Sequence, residues 1–336
     1  MKKYTVAVVG AIGAVGQEMI RTLEKRNFPV GTLKPLDVPV NRGKEIMFNN
    51  EKVKVEVAEN GAFEGVDIAF FSAGGDASLE LAPKAAKAGA IVVDNSSAWR
   101  MDPTVPLVIP EVNPEAVDAH KGIIANPNCS TIQMLVALKP IHDAYQIKRI
   151  VVSTYQAVSG SGKPGIDELS QQVIDYVEGN ELVHNAYPHQ IAFNAIPHID
   201  VFMENGYTKE EMKMVEETKK ILDETIKVSP TAVRIPVFRS HSESICIETV
   251  KPFEVSDVME LLKNAPGVTL MDDLSTNTYP LAIIAEGKDD VYVGRVRRDP
   301  SIENGLNMWV VADNLRKGAA LNTIQIGELL IKRNLI

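Results

Sequence analysis

The chain has only two cysteines in its 336 residues, Cys129 and Cys246. They lie far apart and match no metal-ligand spacing, so no metal site is expected. Two are also too few for a disulfide scaffold, which makes a reducing cytoplasm the expected compartment. Positive charge is in deficit as well. Lys and Arg number 35 against 44 Asp and Glu, a net charge of -9. That balance argues against general nucleic-acid binding, and no basic DNA-reading segment stands out. It leaves an anionic substrate open, because local basic residues decide that. No apolar run reaches the roughly 18 residues that a membrane helix needs. The start, Met1-Lys2-Lys3-Tyr4, has neither the apolar h-region nor the small-residue cleavage site of a signal peptide. Internal repeats, low-complexity tracts and long flexible linkers are absent too.

What is present is the composition of a globular protein, with 45% hydrophobic and 24% charged residues. The length suits two domains better than one core. Thr5 to Val9 is a short β-branched run ending at Gly10, and Val15 to Lys25 reads as a helix. Strand-like runs follow at Leu33–Leu36, Ile68–Phe71, Ile91–Asp94 and Ile123–Ala125, with helical stretches such as Ser78–Ala88 between them. Apolar strands alternating with helices predict a parallel sheet covered on both faces. After residue 128 the texture changes. Helices are expected at Ser130–Ala144, Ile166–Val177 and Lys209–Leu222, and strands at Ile150–Thr154, Ala232–Ile235, Ser244–Val250, Val291–Val296 and Met308–Ala312. This pattern predicts a mixed or antiparallel sheet with one face covered. Ala319–Arg333 returns to helix.

The first strand leads into Gly10-Ala11-Ile12-Gly13-Ala14-Val15-Gly16 and then a helix. Glycines there permit a tight turn and let backbone amides approach a pyrophosphate, which the helix N-terminus favours. The expectation is a Rossmann dinucleotide-binding unit. Asp37 ends the second strand, where an acid bonds the adenosine ribose hydroxyls and repels a 2′-phosphate.

Asn126-Pro127-Asn128-Cys129-Ser130-Thr131 lies between a strand and an apolar helix. Pro127 and Asn128 break the strand and start a turn. Cys129 is thereby set at or just before a helix N-terminus, which lowers a thiol pKa and exposes the sulfur. Cys246 sits in an alternating strand and is expected to pack as a small hydrophobe. Of six histidines, His241 falls in a polar loop between two strands, with Arg234 and Arg239 nearby to attract an anion.

Taken in order, these motifs resemble the aspartate-semialdehyde dehydrogenase family along essentially the whole chain. They are the glycine loop, Phe71–Gly74, Asp94–Arg100, Asn126–Thr131, Ser153–Gly162, Ile191–Pro197, Arg234–His241 and Asp313–Ala320. The resemblance implies a glyceraldehyde-3-phosphate-dehydrogenase-like α/β fold. A dinucleotide-binding domain would take 1–128 and 318–336, and a catalytic and dimerisation domain 129–317. The implied reaction is reversible: aspartyl β-phosphate and reduced cofactor give aspartate semialdehyde, phosphate and oxidised cofactor, at the branch toward lysine, methionine, threonine and isoleucine. Cys129 matches the nucleophile, His241 the general acid/base, and Gln156 the residue that orients substrate and cysteine. Arg234 matches the substrate-carboxylate binder, Glu217 the partner of the amino group, and Lys220, Arg100 and Asn128 the phosphate site. Ser72, Ala73, Gly74, Ser159, Gly160 and Asn314 join the glycine loop as cofactor contacts. A homodimer is implied as well.

Two positions depart from the family. Ile12 stands where relatives usually have Thr in the glycine loop. Val38 and Val40 stand where relatives carry the Ser and Arg that hold the 2′-phosphate of NADP, while an acid enters at Asp37. NADP is the family default, yet these residues favour NAD, with Arg42 or Lys44 as the remaining cations. The nearest rival is N-acetyl-γ-glutamyl-phosphate reductase, against which Glu217 argues, since an acetylated nitrogen carries no charge. A non-catalytic dinucleotide-binding sensor accounts for the glycine loop but not for Cys129, Gln156, Arg234 and His241 together.

Overall fold

The computed structural model describes residues 2–59 and 61–336. They form two compact units, the first made of the described residues within 2–127 together with Ala319–Ile336 and the second of Asn128–Gly318.

In the first unit, β1 (Tyr4–Val9) leads through the glycine loop to α1 (Ala14–Lys25), and β2 (Val30–Asp37) follows. Next come β3 (Glu45–Phe48), β4 (Glu51–Lys54), β5 (Glu56–Val57), β6 (Ile68–Phe71), α2 (Gly75–Lys87), β7 (Ile91–Asp94) and β8 (Ile123–Ala125). The main sheet runs β5-β2-β1-β6-β7-β8, and every pairing in it is parallel. Successive strand residues point to opposite faces. Val6, Val8, Ile68 and Phe70 therefore meet Met19 and Leu23 of α1 and Ile324 of the C-terminal helix, Leu321–Lys332. Ala7, Val9, Ala69 and Phe71 meet Leu81 and Ala85 of α2 on the other side. Apolar residues at both odd and even positions are what a sheet buried on both faces requires. The β3–β4 hairpin is outside the expected strands. Its Glu-Lys-Val-Lys strand is mostly exposed and carries no apolar run to mark it.

Gly10 and Gly16 fix the loop after β1. Gly10 has φ +83°, and a Cβ on it would stand 2.3 Å from the Ser72 carbonyl oxygen. A Cβ on Gly16 would stand 2.1 Å from the Gly10 carbonyl oxygen. Both obstacles are backbone, which cannot rotate away. We expect Gly16→Ala to reduce the unfolding free energy by about 1–3 kcal/mol, the usual penalty of overpacking. Urea denaturation measures this, and an unchanged midpoint would mean that the loop opens freely.

The second unit begins with α3 (Cys129–Tyr145) and β9 (Ile147–Gln156), then α4 (Gly162–Glu178), α5 (Lys209–Ile221), β10 (Lys227–Arg234) and β11 (His241–Thr249). It closes with α6 (Val255–Asn264), β12 (Val268–Leu270), α7 (Ala282–Ala285), β13 (Val291–Asp299) and β14 (Gly305–Ala312). The sheet order is β10-β9-β11-β14-β13-β12. Its outer pairs are parallel and its central pairs antiparallel, a mixed sheet. α3 is buried from Ser130 to Leu138, which its apolar sequence allows on every face.

Strand register decides what gathers at one end of this sheet. β9 and β10 run parallel and end opposite each other, Gln156 against Arg234. β11 runs the other way and starts at that same end, with Ser242 against Tyr155. Gln156, Arg234 and His241 thus sit on adjacent strands at a common edge.

Candidate active site

α3 opens at Asn128, whose side-chain oxygen accepts from the Ser130 and Thr131 amides at 3.0 and 3.3 Å. The cap makes Cys129 the first helical residue, half-buried, in the partial positive field of the first turn. That field favours a thiolate.

The Asn128 side-chain amide donates to Glu210 Oε1 at 2.9 Å. Gln156 donates to the same oxygen at 3.1 Å and to Ser130 Oγ at 3.0 Å. Lys213 holds Glu210 Oε2 at 3.0 Å and also reaches Asp200 at 2.9 Å. Burial alone would raise the Glu210 carboxyl. The Lys213 ammonium and the Asn128 and Gln156 amides outweigh it and hold the group at about 2. Glu210 is therefore a buried carboxylate at neutral pH, beside the thiol-bearing turn.

The pair at this cluster is Glu210/Lys213, not Glu217/Lys220. Both pairs have the same spacing on α5, but they lie two helical turns apart. Glu217 is buried with Oε2 on the Asn128 backbone amide at 2.7 Å, so it braces the start of α3. Lys220 is half-buried on the same helix. The Thr208–Glu211 capping box starts α5 at Lys209, as expected, and puts Glu210 in its first turn, but that start alone does not tell which turn meets Asn128.

Arg234 is buried at the end of β10, with Nη1 on the Ala157 carbonyl at 2.6 Å and Nε without a partner. Burial lowers its pKa, while Tyr187, Glu210 and Cys129 favour its charge. Gly160 lies against both Arg234 and His241. A Cβ there would stand 2.8 Å from Arg234 Nη1 and 3.4 Å from His241 Nε2.

His241 is not in a polar loop. It is the first residue of β11 and fully buried, because pairing with Ala312 draws it into the sheet. Its Nδ1 accepts from the Ala157 backbone amide at 3.0 Å. A backbone N–H can only donate, so in the neutral ring the proton resides on Nε2. Nε2 is buried and has no partner. Burial, then the Arg234 cation, push the imidazole down to about 3 against a smaller pull from Glu210. Glu243 is buried on the same strand with neither carboxylate oxygen bonded. Burial pushes its carboxyl well above the ordinary range.

Cys246 also differs from expectation. It is half-buried and donates to Asp299 at 3.1 Å instead of packing as a hydrophobe. Burial, then the Asp299 carboxylate, push its thiol up to about 11, which leaves it unreactive.

The remaining predicted residues of the second unit are Ser159 and Asn314, which bond each other at 3.0 Å. Arg100 belongs to the first unit, buried, with Nη2 on the Asn95 carbonyl at 3.0 Å.

The first unit fits a dinucleotide. No side chain caps α1 at Gly13, so the first-turn amides near Ala14 and Val15 remain for a phosphate. Gly74, at φ +83°, starts α2 next to Ser72 and Ala73. The Ile12 amide is not available, since it donates to Asp37 Oδ2 at 2.9 Å. Asp37 Oδ1 accepts from the Val38 amide and the Asn41 side chain at 2.8 and 2.7 Å. Lys44 meets Asn41 Oδ1 at 2.6 Å. Val38 and Val40 are exposed, the latter 82%.

A family model described as semialdehyde dehydrogenase, NAD binding domain, matches residues 5–120, and its dimerisation-domain counterpart matches 138–317. The aspartate-semialdehyde dehydrogenase of Aquifex aeolicus (strain VF5) is 58% identical over 338 residues, covering 99% of both chains. That of Bacillus subtilis (strain 168) is 52% identical and covers 98% of each. The chain belongs to the aspartate-semialdehyde dehydrogenase family. Among solved structures, aspartate semialdehyde dehydrogenase II of Vibrio cholerae complexed with ASA superposes with a TM-score of 0.97 at 51% identity, covering 99% of each chain. Family membership makes this chain an oxidoreductase with an NAD(P)-binding Rossmann domain and a mixed-sheet second domain. No helix among the described residues is long and apolar enough to cross a membrane.

The His241 environment predicts acid sensitivity. Its folded pKa of about 3 lies below the ordinary 6.5, so only the unfolded chain gains this proton between those values. The stability it contributes is complete above pH 6.5 and is lost as pH falls toward about 3. Lowering pH from about 7 to about 5 should cost about 2 kcal/mol through this residue. In urea titrations His241→Gln should remove most of that difference. An equal drop in the variant would locate the effect elsewhere.

Proposed function

We propose that this chain catalyses the reversible, phosphate-dependent oxidation of L-aspartate 4-semialdehyde to L-aspartyl 4-phosphate. The observation that carries the reading is Cys129 at the start of a buried helix whose cap residue holds Glu210, with Lys213 on that carboxylate and Gln156 linking it to the strand edge that carries Arg234 and His241. Glu210, Lys213 and Arg234 complement a small substrate with an ammonium, a phosphoryl group and a carboxylate. Arg234 takes the carboxylate, Glu210 the ammonium, and Lys213 with Asn128 the phosphate. A buried ionised Glu210 also disfavours an acetylated substrate.

The Cys129 thiolate attacks the aldehyde carbon and forms a thiohemiacetal. The Nε2–H of neutral His241 donates a hydrogen bond to its oxygen, in the way a preorganised dipole stabilises a developing oxyanion. Gln156, fixed by Ser130 and Glu210, orients the thiol-bearing turn. A dinucleotide held on the Gly10–Gly16 loop would supply the hydride acceptor for this step. Phosphate then attacks the thioester carbon and Cys129 leaves as thiolate.

For the cofactor, the reading is use of NAD at least comparable to NADP. Asp37 keeps a lone pair on Oδ2 for a ribose hydroxyl, and its charge repels a 2′-phosphate. Lys44, through Asn41, is the nearest cation to that carboxylate among the contacts described. The proposed assembly is a cytoplasmic homodimer. Val173, Ile174 and Val177 of α4 are exposed in the unit that matches the dimerisation model, as are Phe193 and Phe202.

Initial rates with aspartate semialdehyde and phosphate test the reaction. Cys129→Ser should abolish reduction of either dinucleotide, and kcat/KM with NADP should not exceed that with NAD. Val40→Arg should raise the NADP value about tenfold, the worth of one phosphate contact of about 1.4 kcal/mol. Full activity in the serine variant would end the covalent reading, and a strong native preference for NADP would end the cofactor reading. Light scattering should give twice the 36.7 kDa chain mass. A monomer would contradict the dimer.

A further inference from the structure

Ser240 immediately precedes His241, is fully buried, and has φ +74°. This left-handed backbone is uncommon for a residue that is not Gly, Asn or Asp. Such a conformation persists only where its surroundings impose it. Asn314 Oδ1 accepts the Ser240 amide at 2.9 Å, and Asn314 Nδ2 lies 3.0 Å from Ser159 Oγ. Asp313 is fully buried and anchors the same turn. It meets Arg239 Nη2 at 3.0 Å and accepts from the amides of Gly287 at 2.7 Å and Leu315 at 2.9 Å. On the other flank, the Val158 and Ser159 amides donate to the carbonyls of Val237 and Phe238 at 2.8 and 3.2 Å. The turn before His241 is therefore gripped from both sides.

We infer that Asn314 is a positioning residue for His241. With Asp313 beside it, it enforces the left-handed Ser240 backbone that starts β11 with the His241 Nδ1 on the Ala157 amide. Its oxygen and one of its two amide hydrogens are engaged within this unit, so the positioning role needs no dinucleotide. The inference rests on the reading of His241 as the donor to the substrate oxygen.

Kinetics of a small variant set test it. Asn314→Ala should lower kcat about tenfold or more, with the dinucleotide KM changed less than about threefold. Glycine adopts φ +74° without penalty, so adding Ser240→Gly should restore kcat at least about threefold in the Asn314→Ala background. Asn314→Asp keeps an acceptor for the Ser240 amide and should stay within about threefold of the native kcat. A raised dinucleotide KM with intact kcat in Asn314→Ala would overturn the inference and make Asn314 a cofactor contact. Failure of Ser240→Gly to restore a folded Asn314→Ala enzyme would overturn it too. Should Asn314→Ala not fold, a loss beyond about tenfold in Asn314→Asp overturns it. His241→Gln, assayed alongside, isolates the underlying reading: native kcat there would remove His241 from the reaction whatever Asn314 does.

Discussion

One residue, Asn128, joins the two helices on which the site is built. Its oxygen caps α3 through the Ser130 and Thr131 amides, its nitrogen holds Glu210, and its backbone amide holds Glu217. α5 is thereby tied to the turn that presents Cys129 at two points two helical turns apart. Buried donors and acceptors that find no partner are expensive, so these bonds set the register of one helix against the other. A hydrophobic contact alone would let α5 slide or rotate. With both carboxylates engaged at the start of α3, the placement of Glu210 and the orientation of Cys129 become one structural fact.

The electrostatics follow from that arrangement. Glu210, Lys213 and Asp200 form a compensated cluster, with each Glu210 oxygen met by a donor. Arg234 is less fully answered, since its Nε has no partner. This incompletely hydrogen-bonded guanidinium at the end of β10 suits an anionic substrate and adds to burial in depressing the neighbouring His241. An acidic chain can therefore bind an acidic substrate, because the local field is set by a few buried cations and not by the net charge.

Much of this was legible in the residues. The glycine loop after a β-branched strand, the Asn-Cys-Ser-Thr turn before an apolar helix, and Arg234 near the end of its strand lie where the pattern puts them. Such features are encoded locally, by turn chemistry and by alternation. The choice between Glu210 and Glu217 was not. Both occur in similar Glu-x-x-Lys spacing, and what separates them is which turn of α5 faces Asn128 and Gln156. The burial of His241 was missed because Arg-Ser-His-Ser-Glu-Ser reads as polar surface. Pairing with β14, some seventy residues away, overrides it. The Cys246 partner was missed for a similar reason, as Asp299 lies at the far end of β13.

The tautomer of His241 bears on how the thiol is activated. An imidazole whose Nδ1 faces a backbone amide has no lone pair to offer on Nε2. It cannot take the Cys129 proton there without first giving up its own. Burial and Arg234 also disfavour the doubly protonated ring. Thiolate formation must then draw on other features: the first turn of α3 and the cationic end of β10. On the proposed mechanism, His241 serves the oxygen that gains charge when the thiolate adds. A neutral imidazole donor suits that task, because it stabilises the oxyanion without delivering a proton that would have to be removed again. On the proposed mechanism, thiol activation falls to a helix terminus and oxyanion stabilisation to a ring, and the amide of Ala157 supports that division.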